Sequence, residues 1–316
     1  MNLTIRLNSK FKLKNPVTVA SGTFGYAEEF KDFIDLNLLG AIFTKTITRF
    51  PKSGNPPPRL VETSSGMLNA IGLQNEGVED FIKNKWPHLR ELGPKIIASI
   101  SAINTEDFVY LARYLEDAGI EAVELNLSCP NVKYAVTCSR KKFIGNGNPV
   151  MFAQSDAATY NVVKAVRKKT DLFLIAKLSP NVTDITAIAR AAESAGTDAL
   201  SLINTFLAMA IDIHTNRPKL ANITGGLSGP AIKPLALRMV YEACRSVKIP
   251  VIGMGGIMNA ADAVEFMIAG AKAVSIGTAN FVNPHIAIDI LYGIKKYLKD
   301  KRIDNINKIV GKIKLR

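Results

Sequence analysis

Residues 122–132 read Ala-Val-Glu-Leu-Asn-Leu-Ser-Cys-Pro-Asn-Val. Apolar Ala122, Val123, Leu125 and Leu127 mark a buried strand, with Glu124, Asn126 and Ser128 alternating among them. Pro130 cannot continue a ladder, so the strand ends on Cys129. An amide, a hydroxyl and a thiol therefore meet at one strand end. A thiol can attack a carbonyl or carry a proton, and attack calls for a histidine base. The histidines are His88, His214 and His285, none near a strand end of this kind, which argues against a hydrolase. There is no C-x-x-C and no His/carboxylate cluster at ligand spacing, so no metal site is expected. Cys129 fits a proton-transferring thiol; the bland reading is a small buried hydrophobe. Cys138, in a basic loop, and Cys244, on the apolar face of a helix, read as structural or incidental.

Other strand ends carry complementary groups. Lys45 and Lys177 each close an apolar run, as rim cations or as partners for an anionic ligand. Gly253-Met254-Gly255-Gly256 and Gly277-Thr278 end the last two apolar runs. Glycines there suit a phosphate cradle, where backbone N–H groups meet the anion. Asn69 lies among glycines and apolar residues in the stretch 65–75 and suits a planar polar ligand. The segment Thr224-Gly225-Gly226-Leu227-Ser228-Gly229-Pro230 is a second glycine-rich loop.

The elements that position these groups recur along the chain. Continuous apolar runs begin at residues 17, 41, 96, 122, 172, 199, 249 and 273. Such runs are what parallel sheets use. Helical patterns fill the gaps, over 105–117 with Asn104 or Thr105 as cap, 183–194, 233–247 and 259–268. Ala118-Gly119, Ala195-Gly196 and Ala269-Gly270 repeat at helix-to-strand joints, with Leu39-Gly40 a shorter version, each Gly expected in the left-handed conformation. Repeated βα units predict an α/β fold, a (β/α)8 TIM barrel, as one domain over 1–316. A doubly wound sheet is the runner-up, but its glycine fingerprint is absent from the first βα turn. Residues 4–7 and 11–14 predict an N-terminal hairpin. Steps between strands alternate between about 25 and about 50 residues, whereas a bare unit needs about 30. Long loops therefore follow strands 2, 4 and 6 and share the C-terminal face of the barrel.

The 316 residues are 47% hydrophobic and 21% charged, enough for a large core. The net charge of +13 is scattered, with local excess at 140–142, 164–169 and 295–316, and reads as a solvated surface rather than a nucleic-acid site. Three cysteines, no apolar run of membrane length and no signal-peptide pattern predict a cytoplasmic protein without a membrane partner.

Asn126-Leu127-Ser128-Cys129-Pro130-Asn131, Ala20-Ser21-Gly22-Thr23-Phe24-Gly25, Thr44-Lys45-Thr46, Asn69-Ala70-Ile71-Gly72-Leu73, Lys177-Leu178-Ser179-Pro180-Asn181, Ile203-Asn204-Thr205 and Gly253-Met254-Gly255-Gly256 together resemble class 1 dihydroorotate dehydrogenases. The Ser-Gly-Thr-Phe-Gly and Thr-Gly-Gly-Leu-Ser-Gly-Pro segments are most similar to the NAD-linked class 1B catalytic subunit. The resemblance implies an FMN-containing barrel that oxidises dihydroorotate to orotate in pyrimidine synthesis. It implies Cys129 as the base that takes the C5 proton while the C6 hydride passes to the flavin. Lys45, Asn69, Ala70, Ile71, Gly72, Leu73, Asn126, Asn204 and Thr205 would hold orotate. Ser21, Lys45, Thr46, Ser99, Asn126, Lys177, Ile203, Gly229, Gly255, Gly256, Gly277 and Thr278 would hold FMN. It further implies a homodimer joined, as a heterotetramer, to a subunit carrying FAD and a 2Fe–2S cluster. Consistent with that, no G-x-G-x-x-G opens a helix after a strand, and three scattered cysteines cannot hold an iron–sulfur cluster. The chain departs from the resemblance in its long basic loop, 133–154, and in Ser99, where the family often has Asn. The alternatives are a class 1A-like homodimer that reduces fumarate, an FMN-dependent tRNA dihydrouridine synthase, and a phosphate-binding barrel without flavin.

Overall fold

The structure, a computed structural model, describes residues 1–128 and 152–314. Eight parallel strands close into a barrel: Val17–Val19, Ala41–Phe43, Lys95–Ile100, Ala122–Asn126, Phe173–Lys177, Ala199–Leu202, Val251–Met254 and Ala273–Ile276. Each pairs with the next in chain order, and the last pairs with the first. The eight expected runs are all present. Ala122–Asn126 and Phe173–Lys177 are buried along their whole length, as strands must be when covered on both faces.

The helices cover the outside. Thr105–Asp117 buries Phe108, Leu111, Ala112 and Leu115, one stripe at helical spacing, and its Asn104 cap accepts from the Asp107 N–H. Asp156–Arg167, Ile185–Ala195, Lys233–Ser246, Ala260–Ala269 and Ile286–Asp300 repeat the pattern. After the first strand there are only two 3-10 turns, Glu28–Phe30 and Leu36–Leu38. Gly119, Gly196 and Gly270 have φ of 84, 99 and 130°, as the repeated joint predicts. Gly40 does not follow them. A Cβ there would lie 2.2 Å from the Asn15 carbonyl oxygen, so close backbone packing and not a left-handed turn requires glycine.

The N-terminal hairpin forms from Ile5–Arg6 and Lys12–Leu13. Phe11 stacks on Phe173, at the start of the fifth barrel strand, with ring centroids 4.4 Å apart. The hairpin thus seals the N-terminal mouth. At the other mouth the insertions after strands 2 and 6 do more than converge. Phe206–Met209, Thr224–Ser228, Gly66–Asn69 and Leu60–Thr63 form one antiparallel sheet in that order. Its own small core is Leu68, Ala70 and Leu220. The insertion after strand 4 falls mostly outside the described residues, as do Cys129, Cys138 and the basic triplet at 140–142.

Leu68→Ala is expected to cost about 2–5 kcal/mol within this sheet. Hydrogen exchange should show amides of 60–69 and 224–228 opening faster, with the barrel strands still protected.

Candidate active site

The C-terminal ends of the barrel strands, capped by the antiparallel sheet, enclose a cavity of about 470 Å³. That lies within the roughly 300–1,000 Å³ of ligand pockets. From the floor rise Asn126 and Lys177, the last residues of adjacent strands and in register with each other. Lys177 is only 4% exposed. A chain of hydroxyls supports this floor. Ser21 Oγ lies 2.9 Å from Thr46 Oγ1, which lies 3.1 Å from Ser99 Oγ and accepts from Asn126 Nδ2 at 3.2 Å. Ser99 Oγ donates to Glu124 Oε1 at 3.1 Å, and Ser201 Oγ donates to Oε2 at 2.7 Å. Lys177 Nζ stands 3.6 Å from Glu124 Oε1.

Two further strand ends close the far wall. Asn204 Nδ2 donates to Ser128 Oγ at 2.8 Å and to the Ser128 carbonyl at 3.1 Å. The backbone one residue before Cys129 is therefore pinned to the sixth strand's end. Asn181 ties the fifth strand's loop to the same region, donating to the Thr205 carbonyl and accepting from the Leu207 N–H. Opposite, Gly255 and Gly256 adopt φ of 126 and 72°. A Cβ on Gly256 would lie 2.7 Å from the Gly229 carbonyl oxygen and 2.8 Å from the Lys233 nitrogen. Only backbone fits there, which is the form a phosphate cradle takes. Thr278 Oγ1 donates to Ser228 Oγ at 2.7 Å, joining the eighth strand's end to the covering sheet.

Most of the residues singled out from the sequence meet here. Ser21, Lys45, Thr46, Asn69, Ile71, Gly72, Leu73, Asn126, Lys177, Ile203, Asn204, Thr205, Gly229, Gly255, Gly256, Gly277 and Thr278 all line the cavity. Two do not. Ala70 is fully buried in the covering sheet's core. Ser99 lies below the floor, between Thr46 and Glu124. The sequence reading passed over Arg59 and Met67, which line the cavity from the second-strand insertion. Arg59 is held by the Asn55 carbonyl and the Gln74 side chain. A cation directly after the rigid run Pro56-Pro57-Pro58 was the signal for it. Cys244 is half-buried on its helix and its thiol is pushed up to about 12 by burial, in keeping with a structural role.

Residues 6–298 match the family model described as dihydroorotate dehydrogenase. The chain belongs to the dihydroorotate dehydrogenase family. It is 51% identical over 315 residues, the full length of both chains, to the dihydroorotate dehydrogenase B (NAD(+)) catalytic subunit of Thermoanaerobacter sp. (strain X514). It is 50% identical to the catalytic subunit of the same name from Alkaliphilus oremlandii, over 96% of each chain. It is 47% identical to that of Citrifermentans bemidjiense, again over 96% of each. Among the described residues no helix is long and apolar enough to cross a membrane.

For a member of this family, the glycine turn makes a sharp expectation. Gly256→Ala should weaken a phosphomonoester ligand such as flavin mononucleotide by ten-fold or more, about 1.4 kcal/mol. Fluorescence titration of the apoprotein reads it, and unchanged affinity would place the phosphate elsewhere.

Proposed function

We propose that this chain is the catalytic subunit of an NAD-linked dihydroorotate dehydrogenase, oxidising dihydroorotate to orotate in pyrimidine synthesis. The observation that carries the reading is one cavity that joins Lys45, Asn69, Asn126, Lys177 and Asn204 to the Gly255-Gly256 turn, at the strand end leading into Cys129. The cofactor in this reading is FMN, and the residues present suit it. The glycine turn admits only backbone, a buried ammonium stands at the floor, and Ile203 and Met254 offer apolar contact to a ring. Ser21, Thr46, Ile203 and Lys177 would hold the ring system, and Gly229, Gly255, Gly256, Gly277 and Thr278 the phosphate end. When bound, FMN supplies the two-electron acceptor for the hydride that leaves substrate C6.

The chain's own residues do the rest. Cys129 Sγ takes the proton from C5, so the C5–C6 bond becomes double as one carbon gives up hydride and its neighbour a proton. The amides of Asn69 and Asn126 each offer both a donor and an acceptor, and Asn204, whose N–H groups go to Ser128, offers its Oδ1, matching the alternating carbonyl and N–H edge of a pyrimidine. Lys45, half-buried at the cavity wall, supplies the charge for the substrate carboxylate. Asn204 serves twice, because its Nδ2 group holds Ser128, the residue before the base, while its Oδ1 has a lone pair left for the ligand. One side chain thereby serves both the ligand and the strand end that leads into the base.

Electrons must then leave the flavin. No dinucleotide fingerprint and no cysteine set for a cluster occur in this chain, so the path to NAD runs through a second subunit carrying FAD and a 2Fe–2S cluster. Phe281 lines the cavity's edge and is half-exposed beside exposed Val282, an apolar rim suited to that subunit. Leu207, Met209, Ile211 and Ile213 are exposed along the outer strand of the covering sheet and its continuation, and support pairing of two copies.

Cys129→Ala should keep FMN but lose its reduction by dihydroorotate, by about 10²–10⁴-fold or more. Stopped-flow bleaching of the flavin at the wild-type rate would remove Cys129 from the mechanism. The purified chain alone should reduce its flavin with dihydroorotate yet yield no NADH from NAD. Robust NADH production by the single chain would overturn the two-subunit reading, and turnover with fumarate would replace it with the class 1A-like one.

A further inference from the structure

Glu124 has no place in the chemistry described so far, yet it is the best-held side chain beneath the site. It is fully buried in the middle of the fourth strand. Ser99 on the third strand and Ser201 on the sixth each give one hydroxyl to one of its oxygens. Its cationic neighbour, Lys177, belongs to the fifth strand and faces the cavity. Four neighbouring strands therefore converge on one carboxylate. At 3.6 Å the contact with Lys177 is an ion pair and not a hydrogen bond, so it does not use up an ammonium N–H. The carboxylate holds the ammonium by charge and leaves its donors for the cavity side.

A cation at the floor favours a more electron-rich ligand above it, and a carboxylate directly beneath opposes that field. In a buried setting neither field is screened by water. We propose that Glu124 is a positioning residue: clamped by Ser99 and Ser201, it fixes the ammonium of Lys177 at the cavity floor and cancels much of its field, so that the pair sets the reduction potential of the flavin. The proposal rests on the FMN reading above. The clamp also reaches the cavity wall, because Ser99 bonds Thr46, which bonds Ser21 and Asn126.

The test is a double-mutant cycle on the FMN-loaded protein, read as the midpoint potential of the bound flavin by dye-linked reductive titration. Lys177→Met should lower the potential. Glu124→Gln keeps shape and removes charge, and should favour the reduced flavin ten-fold or more, about 30 mV more positive for a two-electron couple. In the Lys177→Met background the same change should have less than half that effect, because no ammonium is left for the carboxylate to hold. Ser201→Ala removes one clamp without touching a charge. It should shift the potential in the same direction by a smaller step, and it serves where Glu124→Gln does not fold. Unchanged potentials in flavin-replete Glu124→Gln, or in Ser201→Ala where the former does not fold, would make Glu124 a folding residue only. Equal shifts with and without Lys177 would equally overturn its action through the lysine. A wild-type protein that takes up no FMN would instead defeat the reading of the cavity, and the role of Glu124 with it.

Discussion

Closure of the eight parallel strands is the constraint on which the site depends. A closed parallel barrel sends all strand ends to one rim, so residues as distant in sequence as Ser21, Asn126 and Thr278 face the same cavity. It also buries every strand on both faces, so a charged group placed under the rim is costly unless it is given a partner. The layer below the floor meets that condition. Ser99, Glu124, Ser201 and Lys177 are all buried, and each has a partner in the others. An ion pair removed from water carries a desolvation cost of several kcal/mol per ion, so its presence inside the barrel points to the site above and not to stability.

The covering sheet solves a second problem. The insertions after strands 2 and 6 leave the barrel more than a hundred residues apart in sequence and would each be a long loop alone. Pairing Gly66–Asn69 with Thr224–Ser228 gives their backbone groups ladder partners and a small apolar core. It also fixes the cavity's upper wall to its lower one, through Thr278 to Ser228. The wall thus inherits rigidity from the barrel without being part of it.

What was legible in the sequence follows from how local each signal is. The strands, the Asn104 cap and the Ala-Gly joints are set by neighbours within a turn or a strand, and the structure repeats them. Gly40 carried the same local signature for a different reason, since its requirement comes from Asn15, which leads into the neighbouring first strand. The pairing of the two insertions is a long-range register that no short pattern announces, and it was read as loop. Ser99 was placed against the ligand by the family resemblance alone, at a position where the family often has Asn. The structure sets it one layer lower, where its hydroxyl bridges Thr46 and Glu124.

Glu124 shows how such a layer can be read before a structure exists. Side chains two apart on a strand share a face, so an Asn126 that faces a cavity at the rim puts Glu124 inside the barrel, one layer down. A carboxylate in that position demands a cation within a few ångströms, and it must come from an adjacent strand at the same level or the next. In the register of the fourth and fifth strands, Asn126 stands opposite Lys177. The alternation Glu-x-Asn on one strand and a terminal Lys on its neighbour therefore specify each other. The amide that faces the ligand and the ion pair that underlies it follow from a single parallel pairing.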